Sequence, residues 1–134
     1  MNFLASYSRT HYAGDLRKSH VGQEVVLLGW VQGRRDLGGR IFIDLRDRSG
    51  ISQLVFGPDL GSEAHSEADA LRSEFCIGVV GKVKLRTDSG GQANPNLSSG
   101  EIEVECSVLH IFSRADTPPF QIEDDVETRE EVRL

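Results

Sequence analysis

Nowhere in its 134 residues does this chain hold an apolar run near the roughly 20 residues that a membrane-crossing helix needs. Its opening, MNFLASYSRTHY, lacks the basic start and long apolar stretch of a secretory signal. A soluble, cytoplasmic protein with no membrane partner is therefore expected. Cysteine is scarce. Cys76 and Cys106 stand far apart with no CxxC partner, each inside an apolar strand-like run, which predicts buried reduced thiols rather than a disulfide. His11, His20, His65 and His110 are scattered without ligand spacing, so no metal site is expected. Internal repeats are missing too. So is an excess of positive charge: the net charge is −6, the wrong sign for the usual footprint of a nucleic-acid binder.

The distribution of that charge matters more than its sum. From Phe120 onward six acids face only Arg129 and Arg133, so this stretch carries −4 and the first 119 residues only −2. Within those, Arg34, Arg35, Arg40, Arg46 and Arg48 gather around one hairpin, and Lys82, Lys84 and Arg86 alternate along another strand. Binding through such a patch would be local, modest in affinity and salt-dependent.

The length suits one domain with a real core and a tail. Residues 1–8 are expected to be a disordered leader, residues 9–114 the folded domain and residues 115–134 a linker with Pro118-Pro119 as its rigid joint. A helical turn is predicted near Ala13 to Lys18. Strands are predicted over Glu24–Arg35, Arg40–Asp47, Ile51–Phe56, Phe75–Arg86 and Glu101–Ser113. Gly29 and Gly33 are places for the first strand to bulge or bend, and Gly38-Gly39 closes a hairpin. Ser62 to Ser73 reads as a helix capped by Ser62. Thr87 to Ser99 reads as a flexible loop with no apolar anchor. Three strands, a helix and two more strands predict an all-β fold, a five-stranded oligonucleotide-binding (OB-fold) Greek-key barrel with the helix between strands 3 and 4.

Alternation along Arg40–Asp47 sends Ile41, Ile43 and Leu45 into the core and leaves Arg40, Phe42, Asp44 and Arg46 facing solvent. Phe42 is then a large ring on a polar face between charged neighbours. Such a ring can stack a nucleobase while cations hold its phosphates, or it can merely cover a strand edge. Small barrels of this kind bind single strands across strands 2 and 3, where Phe42 and Gln53 lie. Asp44 and Asp47, beside Arg46 and Arg48, are expected to be salt-bridged surface groups rather than a catalytic pair. Trp30, near Val26 and Leu28, is expected in the core.

The segments SHVGQEVVLLGWV (Ser19 to Val31), RRDLGGRIFIDLRDRSGISQ (Arg34 to Gln53), SEFCIGVVGKVKLR (Ser73 to Arg86), SSGEIEVECSVLHI (Ser98 to Ile111) and RADTPPF (Arg114 to Phe120) resemble, in that order, the N-terminal anticodon-binding domain of bacterial-type aspartyl-tRNA synthetases. TREEVRL at the end looks like the approach to the class II catalytic domain, whose motifs are absent, so a fragment without catalytic residues is expected. The resemblance implies that the partner is the anticodon loop of tRNA(Asp). It also implies that ATP and magnesium belong to the parent's catalytic domain and no cofactor to this chain, and that the parent is a homodimer while the isolated barrel is monomeric.

Residue by residue, it implies that Phe42 stacks on the central anticodon base, a uridine, while Arg35 and Gln53 hydrogen-bond that base's edge. Glu103 matches the residue that reads the first base, guanine or queuosine, with Arg86 nearby. Lys84, Gln92 and Asn94 fall where the third base, a cytosine, is contacted. Arg34, Arg40 and Lys82 are candidates for phosphate contact. Leu37 stands where some members carry histidine, a choice linked to relaxed selection between aspartate and asparagine tRNAs, so leucine points to strict selection. The chain departs from the family in Gln32-Gly33-Arg34-Arg35-Asp36, where Asn-Arg-Arg-Arg-Asp is common and one cation is missing. The alternatives are a stand-alone single-strand binder without base preference, the equivalent domain of an asparaginyl- or lysyl-tRNA synthetase, or a protein-interaction barrel.

Overall fold

The computed structural model describes residues 3–114. Its frame is five strands: β1 (Glu24–Leu37), β2 (Arg40–Asp47), β3 (Gly50–Phe56), β4 (Cys76–Leu85) and β5 (Ile102–Ser113). They close into a barrel in the order β1-β2-β3-β5-β4, with β4 returning to β1. All pairings are antiparallel except β3 with β5, a short parallel seam of Gln53↔Glu103, Leu54↔Val104 and Val55↔Glu105. The expected barrel is present. Helix α2 (Ser62–Ala68) stands between β3 and β4.

Alternation builds the core. Val25, Leu27 and Val31 of β1, Ile41, Ile43 and Leu45 of β2, Leu54 and Phe56 of β3, Ile77, Val79 and Val83 of β4, and Ile102 and Val104 of β5 point inward and are buried. Ala64 and Ala68 of α2, with Leu71 and Phe75, join them. Gly38 and Gly39, at φ 63° and 91°, form the two-residue turn between β1 and β2. Paired positive φ values match the right-handed twist of the flanking strands and suit glycine. At Gly29 a Cβ would sit 2.4 Å from the Arg46 carbonyl oxygen, so glycine is what lets β1 and β2 approach here.

One irregularity positions the outer face. Val31 pairs with Leu45 but Gly33 pairs with Asp44, so Gln32 is an extra residue in β1. A single inserted residue reverses which side chains point outward. Before the bulge Val26 and Leu28 face out; after it Arg35 does, opposite Phe42.

Several expectations are corrected. The leader is not disordered over its described residues: Phe3–Ser6 form a helical turn, α1, and Phe3 is fully buried against Val26, Leu28 and Val80. An outer face as apolar as that of β1 needs a cover, and α1 supplies it. Trp30 is half-buried and belongs to neither apolar cluster, because it lies on the outer face of β1 beyond the reach of α1. Helix α2 begins after Gly61, with no side-chain cap from Ser62, and ends at Ala68 rather than Ser73. Leu71 must turn into the core, and the backbone then bonds back to β1 through Glu74 N–H to the Val31 carbonyl at 2.7 Å. The predicted turn at Ala13 to Lys18 is two 3-10 turns, Ala13–Asp15 and Lys18–His20.

Asp44 pairs with Arg35 at 3.7 Å rather than with its sequence neighbours. Asp47 accepts the Ala13 N–H at 2.7 Å and both the N–H and hydroxyl of Ser49. It ties the first 3-10 turn to the β2–β3 turn. The loop after β4 is anchored by polar groups: Ser98 donates to the Gly14 carbonyl at 3.0 Å and Ser99 donates to the Ile51 carbonyl. Cys76 and Cys106 are both buried and not joined in a disulfide, as expected. Burial in apolar surroundings pushes the Cys106 thiol far above its ordinary range. The proposed linker over residues 115–134 lies outside the described residues.

Candidate nucleic-acid interface

Strand register lays two rows of side chains across the outside of the barrel. One row is Arg35, Phe42, Val55, Glu105 and Lys82; the other is Asp44, Gln53, Glu103 and Lys84. Neighbours in each row come from different strands. Residues distant in sequence therefore stand side by side.

Three of them are joined by hydrogen bonds. Arg35 donates to Gln53 Oε1 at 2.9 Å, and Gln53 Nε2 donates to Glu103 Oε1 at 2.9 Å. The polarity of this relay is forced, since a guanidinium can only donate and a carboxylate can only accept. The Gln53 amide thus has one orientation. The second carboxylate oxygen of Glu103 accepts the Ser89 hydroxyl at 2.6 Å. Arg35 also lies over the Phe42 ring, 5.6 Å from its centroid, a cation–π distance.

The relay floors a cleft of about 310 Å³, lined by Arg35, Leu37, Arg40, Phe42, Gln53, Val55, Arg86, Ser89, Gly90, Gly91, Gln92 and Glu103. Arg86 is 7% exposed, and its Nε donates to the Ile102 carbonyl at 3.1 Å. Burial draws its pKa down from the ordinary arginine value while neighbouring Glu103 works the other way. The group stays charged. Arg40 meets Asp59 at 2.8 Å on the lip, and Leu37 is 57% exposed beside it. With three arginines, one aromatic face and an amide–carboxylate pair, the cleft can take a planar base on Phe42, hydrogen-bond its edge and neutralise a phosphate.

Of the residues singled out from the sequence, Arg35, Leu37, Arg40, Phe42, Gln53, Arg86, Gln92 and Glu103 come together here. Lys84 flanks Glu103 in register, and Lys82 is exposed one pair further along β4. Asn94 does not line the cleft; its Oδ1 accepts the Asn96 N–H at 2.9 Å within the same loop, which leaves its amide donors to offer. Arg34, one residue out of phase with Arg35, leaves the cleft and meets Asp69 at 3.2 Å, just after α2. Sequence reasoning missed Ser89, Val55 and the glycine pair at 90–91. The alternation of β3 could have found Val55, two residues from Gln53; no pattern pointed to Ser89.

The family model described as OB-fold nucleic acid binding domain, tRNA anti-codon, matches residues 25–112. The chain belongs to this family. Within it, an aspartate–tRNA(Asp/Asn) ligase of Anaeromyxobacter sp. (strain K) is similar at 53% identity over 132 residues, covering 98% of this chain and 21% of that protein. An aspartate–tRNA ligase of Lysinibacillus sphaericus (strain C3-41) is similar at 54% identity over 127 residues, covering 95% of this chain and 21% of that protein. Among solved structures, an asparaginyl-tRNA synthetase from Pyrococcus horikoshii complexed with asparaginyl-adenylate superposes with a TM-score of 0.66 at 25% identity, over 90% of this chain and 25% of that one. The anti-codon family domain described here spans about a fifth of the length of the curated relatives it matches.

Proposed function

We propose that this chain is the anticodon-binding domain of an aspartate–tRNA ligase. It docks the anticodon loop of tRNA(Asp) so that a class II catalytic domain, with ATP and magnesium, charges the acceptor end with aspartate. The observation that carries this is the Arg35–Gln53–Glu103 relay beside the Phe42 ring, in a chain about half identical to aspartate–tRNA ligases. Phe42 stacks the central uridine and Arg35 with Gln53 meets its edge. Glu103 accepts from the first-base guanine, as unstacked loop bases allow. Lys84, Gln92 and Asn94 serve the third base, and Arg34, Arg40 and Lys82 serve phosphates. The parent is a cytoplasmic homodimer through its catalytic domain; the barrel alone is monomeric.

Relatives named for both tRNAs and for aspartate tRNA alone are equally similar, at 53% and 54% identity. Overall likeness does not separate the two specificities. Leu37, at the lip of the cleft, supports strict selection. The test is titration of the chain with stem-loops reading GUC and GUU at two salt concentrations. Preference for GUC at both salt concentrations is expected, with affinity for each loop rising at low salt; equal binding to any single-stranded RNA would instead make this a binder without base preference.

A further inference from the structure

Glu103 lies on the outer side of β5, yet it is 2% exposed, and Ser89 from the turn after β4 sits against it. That turn, Arg86–Ser89, is firmly held. Arg86 Nε is bonded to the Ile102 carbonyl at 3.1 Å, and Gly90, at φ 90°, returns its N–H to the Thr87 carbonyl at 3.3 Å. The Ser89 hydroxyl is 2.6 Å from Glu103 Oε2 and 3.2 Å from the Arg86 carbonyl. It has one proton to give. The Arg86 carbonyl already takes the Gly91 N–H at 2.9 Å, so the proton goes to the nearer, charged acceptor.

On the other oxygen the donor is Gln53 Nε2, at 2.9 Å. Gln53 is shared: Arg35 holds its Oε1, and in the reading above the same amide also meets the central base. Ser89 is the side-chain donor to the carboxylate that takes no part in recognising that base. We infer that Ser89 is a positioning residue for purine recognition at the first loop position. It fixes the carboxylate plane so that the remaining lone pairs of Glu103 meet two adjacent N–H donors of a guanine edge. The inference deepens the anticodon reading above and rests on it.

The experiment is titration of the full chain, as wild type, Ser89→Ala and Ser89→Thr, with stem-loops reading GUC and AUC, alongside a melting curve for each protein. Ser89→Ala is expected to cut the preference for GUC over AUC by about ten- to a hundredfold, the worth of one hydrogen bond to a charged group. Ser89→Thr, which keeps the hydroxyl, restores the preference. Ser89→Ala should melt a few degrees lower, since it removes a bond to a buried carboxylate, and titrations run well below that melting range keep the change in preference from being laid to unfolding. If wild type discriminates and Ser89→Ala keeps the full preference, or weakens both loops equally, the role of Ser89 is overturned while the anticodon reading stands. If wild type itself binds GUC and AUC equally, both fall.

Discussion

Replacing Glu103 by glutamine removes a charge from the centre of the cleft while leaving its shape alone. The carboxylate accepts from Gln53 at 2.9 Å and from Ser89 at 2.6 Å. Glutamine has one oxygen to offer. Arg35 fixes the Gln53 amide so that Nε2 points at position 103, and the new oxygen must face it. The new amide nitrogen then faces Ser89, whose hydroxyl proton turns to the Arg86 carbonyl 3.2 Å away. Both contacts survive as neutral bonds. Hydrogen bonds to charged groups contribute about 1.5–3 kcal/mol and neutral ones about 0.5–1.5 kcal/mol, so the loss is about 1–3 kcal/mol. Arg86 also loses the negative charge that offsets its burial. For a domain of this size the melting temperature should fall by about 5–10 °C. Binding to a GUC stem-loop should weaken by a further ~1–3 kcal/mol, because a donor now faces guanine's donors. A first-position adenine should feel much less. Circular dichroism melts and fluorescence titrations measure the two effects separately. An unchanged melting temperature would refute the relay, and equal losses on GUC and AUC loops would refute base reading by Glu103.

Phe42→Ala is expected to cost about 1–3 kcal/mol of loop affinity by titration. It should destabilise far less than Ile43→Ala, whose fully buried side chain is worth about 2–5 kcal/mol in a urea melt. Arg40→Ala breaks only an exposed pair with Asp59, worth ~1 kcal/mol or less, yet it should weaken all loops alike and flatten the salt dependence by about one phosphate. His11 and His110 both have pKa values lowered chiefly by burial, and for His11 also by His20. The unfolded chain therefore takes up protons first, so stability is full above the ordinary value of 6.5 and falls as pH drops below it. Urea midpoints at pH 7.5 and 5.5 check this; a flat or rising midpoint towards pH 5.5 would contradict it.

The barrel was legible because period-two patterning in β2, β3 and β5 is strong and each turn carries its glycines. Phe42 was legible for the same reason: a large ring in the polar phase of an otherwise regular strand. Arg34 was not, because its phase depends on a bulge whose position, Gln32, no local pattern marks. The burial of Phe3 carries no signal within residues 3–8, too short a stretch to show a period. Yet Val25 to Leu28 do not alternate, and both faces of such a run need covering. Ser89 escaped because its contact is made across a turn to a residue on another strand. The early end of α2 escaped because helix propensity runs on to Ser73 while the core's demand for Leu71 does not.

The parallel seam between β3 and β5 also bears on how the chain folds. β1, β2 and β3 are joined by two tight turns, and β4 meets β5 across one loop; these contacts close short loops. The seam brings together Gln53 and Glu103, fifty positions apart, over only three register pairs. Loop-closure entropy and high contact order make such a pairing late to form and early to open. A chain with β1–β3 assembled but the seam open would already display Arg35 and Phe42, with Glu103 out of place. A ligand held between Gln53 and Glu103 would act as a staple on the barrel's weakest join, slowing its opening in proportion to how tightly both sides are gripped.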